Sequence, residues 1–385
     1  MPERIVGATG RGFLLLDSHP AGCFETVARM RAEAGEVRDG AGPVALIVGA
    51  TAGYGLAATV AGLVRHGIRG VGIGFERPAG RRTATAGWYR AVAADALARE
   101  LGHDFVFRNG DAFADATKTE TLDLIAERFG RLDYLIYSVA APRRADPGSG
   151  ETFQSVIKPI GAVHTTRTLE FDRDGTPEAR EISVAPATEA ETEATVRVMG
   201  GEDWSLWMTA LAERGLLHDG FRTVALSYIG SELTSAIYRA GTIGAAKAHL
   251  EATALDLDKR LAGRALTSVN GAAVTQASTA IPGIALYVSL LRAVLGDRLE
   301  SPVAQSVRLW DQLTGAEPFD LDEAGRIRLD RWELDPRVQG EVAERWAAGE
   351  IGDVDWFRSQ FRALYGFDVP GVDYGAPVEV ELPWP

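Results

Sequence analysis

Residues 44–48 form an unbroken apolar run, Val-Ala-Leu-Ile-Val, with no polar position to mark a solvent-facing side. Such a run predicts a strand covered on both faces of a parallel sheet. It passes into Gly49-Ala50-Thr51-Ala52-Gly53-Tyr54-Gly55, after which Leu56, Ala57, Val60, Leu63 and Val64 recur at helical spacing, and a second apolar run follows over 71–75. The pattern continues in the same rhythm. Residues 105–107 predict a strand leading to Asp111, and Leu122, Ile125, Ala126 and Phe129 mark a helix. Further strands are predicted over 134–137, 223–228 and 265–274, with a helix over 240–262. Strands alternating with helices imply an α/β fold, a doubly wound parallel sheet with helices on both faces.

Two stretches break this rhythm. Residues 151–200 read as an insertion over the site, with a β-like alternation across 182–198. Beyond residue 300, Trp310, Trp332, Trp346 and Trp356 sit on segments of helical period and predict a helical cap, while the tail over 367–385 carries four prolines and reads as extended. No internal repeat or linker interrupts the chain. The expected organisation is one enlarged domain: an N-terminal extension over 1–43, a core over 44–300 and a C-terminal cap over 301–385.

Composition narrows the partners. The 385 residues are 46% hydrophobic with a formal net charge of −13, which excludes a disordered chain and argues against general nucleic-acid binding. A single cysteine, Cys23, removes a disulfide framework and reads as a buried, inert thiol in a reducing compartment. The only apolar run near the start, Phe13 to Leu16, is too short for a signal segment or a membrane span, so the expected location is the cytoplasm. The six histidines form no H-E-x-x-H pair or ligand cluster, and no metal is expected. No G-x-S-x-G elbow is present, which argues against a hydrolase of that type.

The glycine loop departs from G-x-G-x-x-G, yet glycines between a buried strand and a helix allow a tight turn that seats a pyrophosphate on the helix N-terminus. An ordinary glycine-rich turn is the plainer alternative. Glu76 ends the second strand, where a carboxylate accepts from adenosine ribose hydroxyls and repels a 2′-phosphate; this favours NADH, although Arg77, Arg81 and Arg82 follow. A solvated strand end is its alternative. Asp111 is placed to reach the adenine edge or to cap a helix. Together these features make the sheet Rossmann-type. Tyr228, Tyr238 and Lys247 form the remaining constellation. Tyr238 and Lys247 are nine positions apart, so one helix would not align them, but Gly241 and Gly244 suggest that Tyr238 precedes or opens the helix. A nearby Lys⁺ lowers a phenol's pKa and makes it a better proton donor. A core aromatic and a solvated helix face are the alternatives.

These motifs carry a resemblance. Tyr-x8-Lys at 238 and 247, the loop at 49–55, Phe75-Glu76, Thr85-Ala86-Gly87-Trp88-Tyr89, Asn109-Gly110-Asp111-Ala112-Phe113 and Tyr137-Ser138-Val139-Ala140 occur in order. With His19-Pro20-Ala21-Gly22-Cys23, Gly200-Gly201-Glu202-Asp203-Trp204, Val274-Thr275-Gln276-Ala277-Ser278 and Gly371-Val372-Asp373-Tyr374, they span the chain. The sequence resembles the FabV-type enoyl-ACP reductases and their trans-2-enoyl-CoA reductase relatives, enlarged members of the short-chain dehydrogenase superfamily. The resemblance implies NADH-dependent reduction of the trans-2 double bond of an enoyl thioester carried on CoA or acyl carrier protein, by a monomer. It implies that Tyr238 is the proton donor, Lys247 an active-site lysine that also contacts NADH, and Tyr228 the tyrosine on the thioester carbonyl. Gly49, Ala50, Thr51, Ala52, Gly53 and Tyr54 would then hold the pyrophosphate, Phe75 and Glu76 the adenosine ribose, and Asp111 and Ala112 the adenine. Val139, Ala140, Ala273, Val274 and Thr275 would line the nicotinamide side.

Some positions depart from the family pattern. Ala141 replaces a serine, and the small residues Gly271-Ala272-Ala273 suggest a wider acyl channel. The segment 238–244 leans towards the CoA relatives, and Arg143 and Arg144 are placed to attract a phosphopantetheine or CoA phosphate. Two rival readings are a carbonyl reductase, disfavoured because position 242 is Thr where Tyr-x3-Lys requires Lys, and a catalytically silent NAD(H)-binding protein.

Overall fold

The alternation of buried runs and helices becomes a seven-stranded, wholly parallel sheet in the computed structural model, which describes residues 3–11, 14–38, 40, 42–171, 176–261 and 263–385. Phe13 and residue 262, which belong to two of the predicted segments, lie outside the described residues. The sheet strands are β1 Val44–Val48, β2 Arg69–Gly74, β3 Phe105–Asn109, β4 Leu132–Tyr137, β5 Leu217–Ser227, β6 Arg264–Val269 and β7 Ile327–Arg328. Their order is β7-β6-β5-β4-β1-β2-β3, so the chain reverses its direction of travel between β1 and β4. That reversal opens a crevice at the carboxyl ends of the two strands, where ligands of such sheets bind.

The helices are α1 Pro20–Ala34, α2 Gly53–His66, α3 Ala86–Glu100, α4 Asp115–Arg128, α5 Glu189–Met199, α6 Glu202–Glu213, α7 Ser235–Tyr238, α8 Thr242–Arg260, α9 Ile284–Leu295, α10 Pro302–Thr314, α11 Pro336–Ala348 and α12 Val354–Ala363. Alternation along β1 explains its unbroken apolarity. Ala45 and Ile47 pack with α2, α3 and α10 on one face, while Val44, Leu46 and Val48 pack with α4, α6 and α8 on the other. A third core lies beyond the carboxyl ends, where α9 is buried by α11, α12, Leu169, Ile237 and Tyr238.

Several predicted boundaries move. The strand expected over 265–274 ends at Val269, and the following segment turns into the site. The alternation over 182–198 divides into the end of a hairpin, His164–Phe171 paired antiparallel with Pro177–Val184, and helix α5. Of the four tryptophans expected on helices, Trp310, Trp346 and Trp356 lie on α10, α11 and α12, whereas Trp332 lies in the connection before α11. Residues beyond 300 also supply the sheet's edge strand β7. Among the described residues no helix is long and apolar enough to cross a membrane, and no group of three or more His, Cys, Asp or Glu could hold a metal ion. Cys23 is buried, which pushes its thiol up to about 11.

Candidate active site

Gly49 closes β1 with φ +92°, and a Cβ there would stand 2.2 Å from the Ser138 carbonyl oxygen at the end of β4. A Cβ on Gly55 would stand 1.9 Å from the Gly49 carbonyl oxygen. These two glycines let bare backbone occupy the crevice mouth. Helix α2 starts at Gly53 behind Ala52, which provides no side-chain cap, so its first-turn N–H groups and dipole are free to meet an anion. The turn therefore fits a dinucleotide pyrophosphate.

At the end of β2 the Phe75 ring is 74% exposed. Beside it, Glu76 is held on every side. Thr51 Oγ1 donates to Oε1 at 2.6 Å, Thr85 Oγ1 donates to Oε2, and a Cβ on Gly87 would stand 1.9 Å from Oε1. Asn109 fixes the backbone, accepting from the Glu76 N–H at 2.8 Å and donating to its carbonyl at 3.0 Å. Burial holds the Glu76 carboxyl above its usual range, against the two threonine hydroxyls. The motif at 85–89 thus shapes the Glu76 niche, and its Trp88 and Tyr89 donate to the carbonyls of Leu382 and Val380 in the tail. Glu76→Ala should raise the NADPH/NADH ratio of kcat/KM about tenfold, the size of one removed like-charge contact. An unaltered ratio in paired steady-state assays would remove Glu76 from cofactor choice.

Asp111 does not cap α4, which begins at Asp115; its Oδ1 accepts from the Phe113 N–H at 3.0 Å and shapes the turn. The Ala112 carbonyl accepts from Lys118 Nζ at 2.9 Å and Trp207 Nε1 at 3.1 Å. Lys118 also pairs with Asp203 at 2.7 Å, and Tyr137 Oη donates to the other Asp203 oxygen at 3.0 Å. The Lys118–Asp203 pair lies below the surface, with Lys118 5% and Asp203 1% exposed, while Asp111 and Ala112 are half-buried.

Tyr238 ends α7, and α8 starts four residues later, so the break expected before Lys247 is present. The Tyr238 ring meets the Tyr228 ring edge to face, with centroids 4.7 Å apart. Burial, then the Glu333 carboxylate, holds the Tyr238 phenol above its usual value. The lowering expected from Lys247 is therefore not what governs this phenol. Burial lowers Lys247 itself to about 8. Tyr54 Oη donates to the Gly271 carbonyl, tying the glycine loop to the segment after β6. In that segment Ala273, Val274 and Thr275 are partly exposed, as is Val139 after β4, and Ala140 is exposed.

Two expectations about small or charged positions change. A Cβ on Gly271 would stand 2.3 Å from the Trp332 indole, so the tryptophan fills the space that a small residue seemed to open for an acyl channel. Arg144 is buried, donating to Glu202 at 2.8 Å and to the Arg197 carbonyl at 2.8 Å, which takes it away from any phosphate. The residue that the sequence pattern missed is Glu333. It is fully buried and accepts from Tyr228 and Tyr287, each at 2.8 Å, and from the Ala272 N–H at 2.5 Å. Nothing in Trp332-Glu333-Leu334 advertises this role.

A glycine turn at the switch point, a carboxylate at the end of the next strand, and a buried tyrosine pair beyond β5 define a dinucleotide-dependent oxidoreductase of Rossmann type. The comparisons agree. Residues 5–81 match the NAD(P)H binding domain of trans-2-enoyl-CoA reductase, 82–314 the trans-2-enoyl-CoA reductase catalytic region, and 321–378 a domain described as enoyl reductase FAD binding. The enoyl-[acyl-carrier-protein] reductase [NADH] of Streptomyces avermitilis is 70% identical, with 98% of this chain and 99% of that protein covered. The Flavobacterium johnsoniae protein of the same name is 44% identical over 95% of each chain. The crystal structure of Treponema denticola trans-2-enoyl-CoA reductase in complex with NAD superposes with TM-score 0.90 at 37% identity, over 97% of this chain and 98% of that one. The Clostridium acetobutulicum trans-2-enoyl-CoA reductase in complex with NADH gives 0.91 at 34% identity, over 98% of both chains. The chain belongs to the trans-2-enoyl-CoA/enoyl-ACP reductase family, whose cofactor is NADH.

A flavin does not fit the residues of 321–378. Both helices there carry their own side-chain caps, Asp335 on α11 and Asp353 on α12, and no glycine turn links β7 to α11. Trp332 and Glu333 of that connection instead close the tyrosine site.

Proposed function

We propose that this chain reduces the trans-2 double bond of enoyl thioesters with NADH, and that its physiological carrier is acyl carrier protein. The observation that carries the reading is the edge-to-face pair of Tyr228 and Tyr238 past the end of β5, joined through Glu333, the Gly271–Ala272 backbone and Tyr54 to the glycine turn of β1. Bound NADH supplies a hydride to the β-carbon. The chain's own residues do the rest. Gly49 to Tyr54 seat the pyrophosphate, Phe75 and Glu76 receive the adenosine ribose, and Asp111 and Ala112 border the adenine. Val139, Ala140 and Ala273 to Thr275 border the nicotinamide. Tyr228 and Tyr238 meet the thioester oxygen, where negative charge develops as the enolate forms, and Tyr238, which burial keeps protonated, is the proton donor. Lys247 adds positive charge beside the ribose.

The carrier reading rests on the 70% identity to a protein named for acyl carrier protein, and it replaces the lean that residues 238–244 gave towards CoA. We read the chain as one enlarged unit, because residues beyond 300 complete both the sheet and the cover over α9, and we take it to be monomeric and cytoplasmic as its motifs imply. NADH oxidation with crotonyl-ACP, crotonyl-CoA and a 3-ketoacyl thioester tests the reaction. Crotonyl-ACP should exceed crotonyl-CoA by about tenfold or more in kcat/KM, a difference of about 1.4 kcal/mol, with no turnover of the keto substrate. Saturable turnover on the 3-ketoacyl thioester alone would overturn the reading.

A further inference from the structure

We propose that Glu333 is a positioning residue for the reduction: protonated, it turns the Tyr228 hydroxyl out towards the thioester oxygen, and ionised, it draws that hydroxyl's proton to itself. The inference rests on the enoyl-reductase reading and adds to it a residue that touches no reacting atom.

A phenol has one proton to donate. As an ionised carboxylate, Glu333 only accepts, and Tyr228 Oη lies 2.8 Å from Oε1. In that state Tyr228 presents a lone pair to the site. The thioester oxygen and the enolate derived from it are themselves acceptors, so Tyr228 cannot bind them. Placing a proton on Oε1 reverses the direction. The new O–H needs an acceptor, and two phenol oxygens stand at 2.8 Å, those of Tyr228 and Tyr287. Tyr287 Oη already receives Gln339 Nε2 at 3.0 Å, whereas Tyr228 Oη receives no donor among the described residues. The proton on Glu333 therefore points at Tyr228, whose own O–H turns into the pocket. No proton is transferred, because the carboxyl keeps its own.

Charge favours the same state. A buried carboxylate one phenol away from a developing enolate would repel it at low local dielectric. Five titratable groups face Glu333. Tyr54, Tyr228, Tyr238 and Tyr287 are each held up by burial first and by its charge second, and Asp330, paired with Arg328 at 2.7 Å, adds a second negative charge. Burial is the first cause that lifts Glu333, to about 7, so both protonation states are within reach of ordinary assay conditions. The active, protonated state is present below that value and is lost as pH rises through it.

The test is the single-turnover rate of NADH oxidation at saturating crotonyl-CoA across the pH range. The wild-type rate should fall about tenfold or more as pH rises from about one unit below to one unit above 7. Glu333→Gln fixes an amide donor beside Tyr228 and should abolish this limb while keeping the rate within about threefold of the acid plateau. Tyr287→Phe removes one donor to the carboxylate and should move the limb up by about one pH unit. The second limb due to Lys247, near 8, should stand alone in Glu333→Gln and merge with the shifted limb in Tyr287→Phe, where the fall above pH 8 becomes steeper. Turnover with no limb near 7, or with the same limb in both variants, overturns the proposal and leaves the reaction assignment standing. No turnover with crotonyl-CoA or crotonyl-ACP overturns the reaction assignment and the proposal together.

Discussion

Tyr238→Phe should lower the single-turnover rate of enoyl reduction roughly 10²–10⁴-fold, the range of a lost general acid. NADH affinity, read by fluorescence titration, should change by less than about twofold, since the role proposed for the lost hydroxyl is at the thioester and not at the pyrophosphate turn. Folding should be spared as well. The ring is 8% exposed and packs with Ile237, Ile243 and α9, and phenylalanine keeps every one of those apolar contacts. What disappears is one hydroxyl whose proton burial holds in place until an oxyanion forms nearby. An unchanged rate in stopped flow would take Tyr238 out of the reaction and leave Tyr228 as the phenol at the oxygen.

Asp203→Ala should be the most damaging single change outside the crevice. It strips the counter-ion from Lys118, which is 5% exposed, and removes the acceptor from Tyr137. Leaving one member of a buried pair alone costs about 3–5 kcal/mol, a large part of the stability of an ordinary domain. If Ala112 borders the adenine as proposed, the damage should also reach the cofactor, because the same ammonium donates to the carbonyls of Ala112 at 2.9 Å and Phe113 at 3.0 Å. Denaturant unfolding and an NADH titration check both effects. A loss below about 1 kcal/mol would mean that the pair is not the anchor its geometry implies.

The sheet was legible where burial is two-sided. The run at 44–48 matches β1 residue for residue, because neither face of that strand meets water and no polar position interrupts it. Residues 182–198 misled for the opposite reason. Within α5, Glu-Ala-Glu-Thr-Glu-Ala alternates by chance on a helix whose exposed side tolerates threonine and glutamate, and the informative signal was the capping box from Thr188 to Glu191. Strand β7 is two residues long and leaves no periodicity to read. Within the site, Tyr228, Tyr238 and Lys247 carried recognisable spacing, whereas Glu333 lies 105 positions beyond Tyr228 and reaches it only through the fold. The same holds for Trp332 over Gly271. A small residue reads as empty space in a sequence, but here another side chain occupies that space.

The tail over 367–385 has a consequence for how the protein is made. Trp384 Nε1 donates to the Phe107 carbonyl at 2.9 Å, across 277 positions, and its ring packs against Trp88 at 4.9 Å, while residues 378–379 pair with residues 3–4. The cofactor-side edge at β3 is thus finished by residues synthesised long after it. On the ribosome, the strand at 105–109 waits for more than two hundred further residues before its cover arrives. Contacts of such long range slow folding and prolong the exposure of an unpaired edge. For this chain, the time between translation of β3 and docking of Trp384 is the window in which chaperones or aggregation would act.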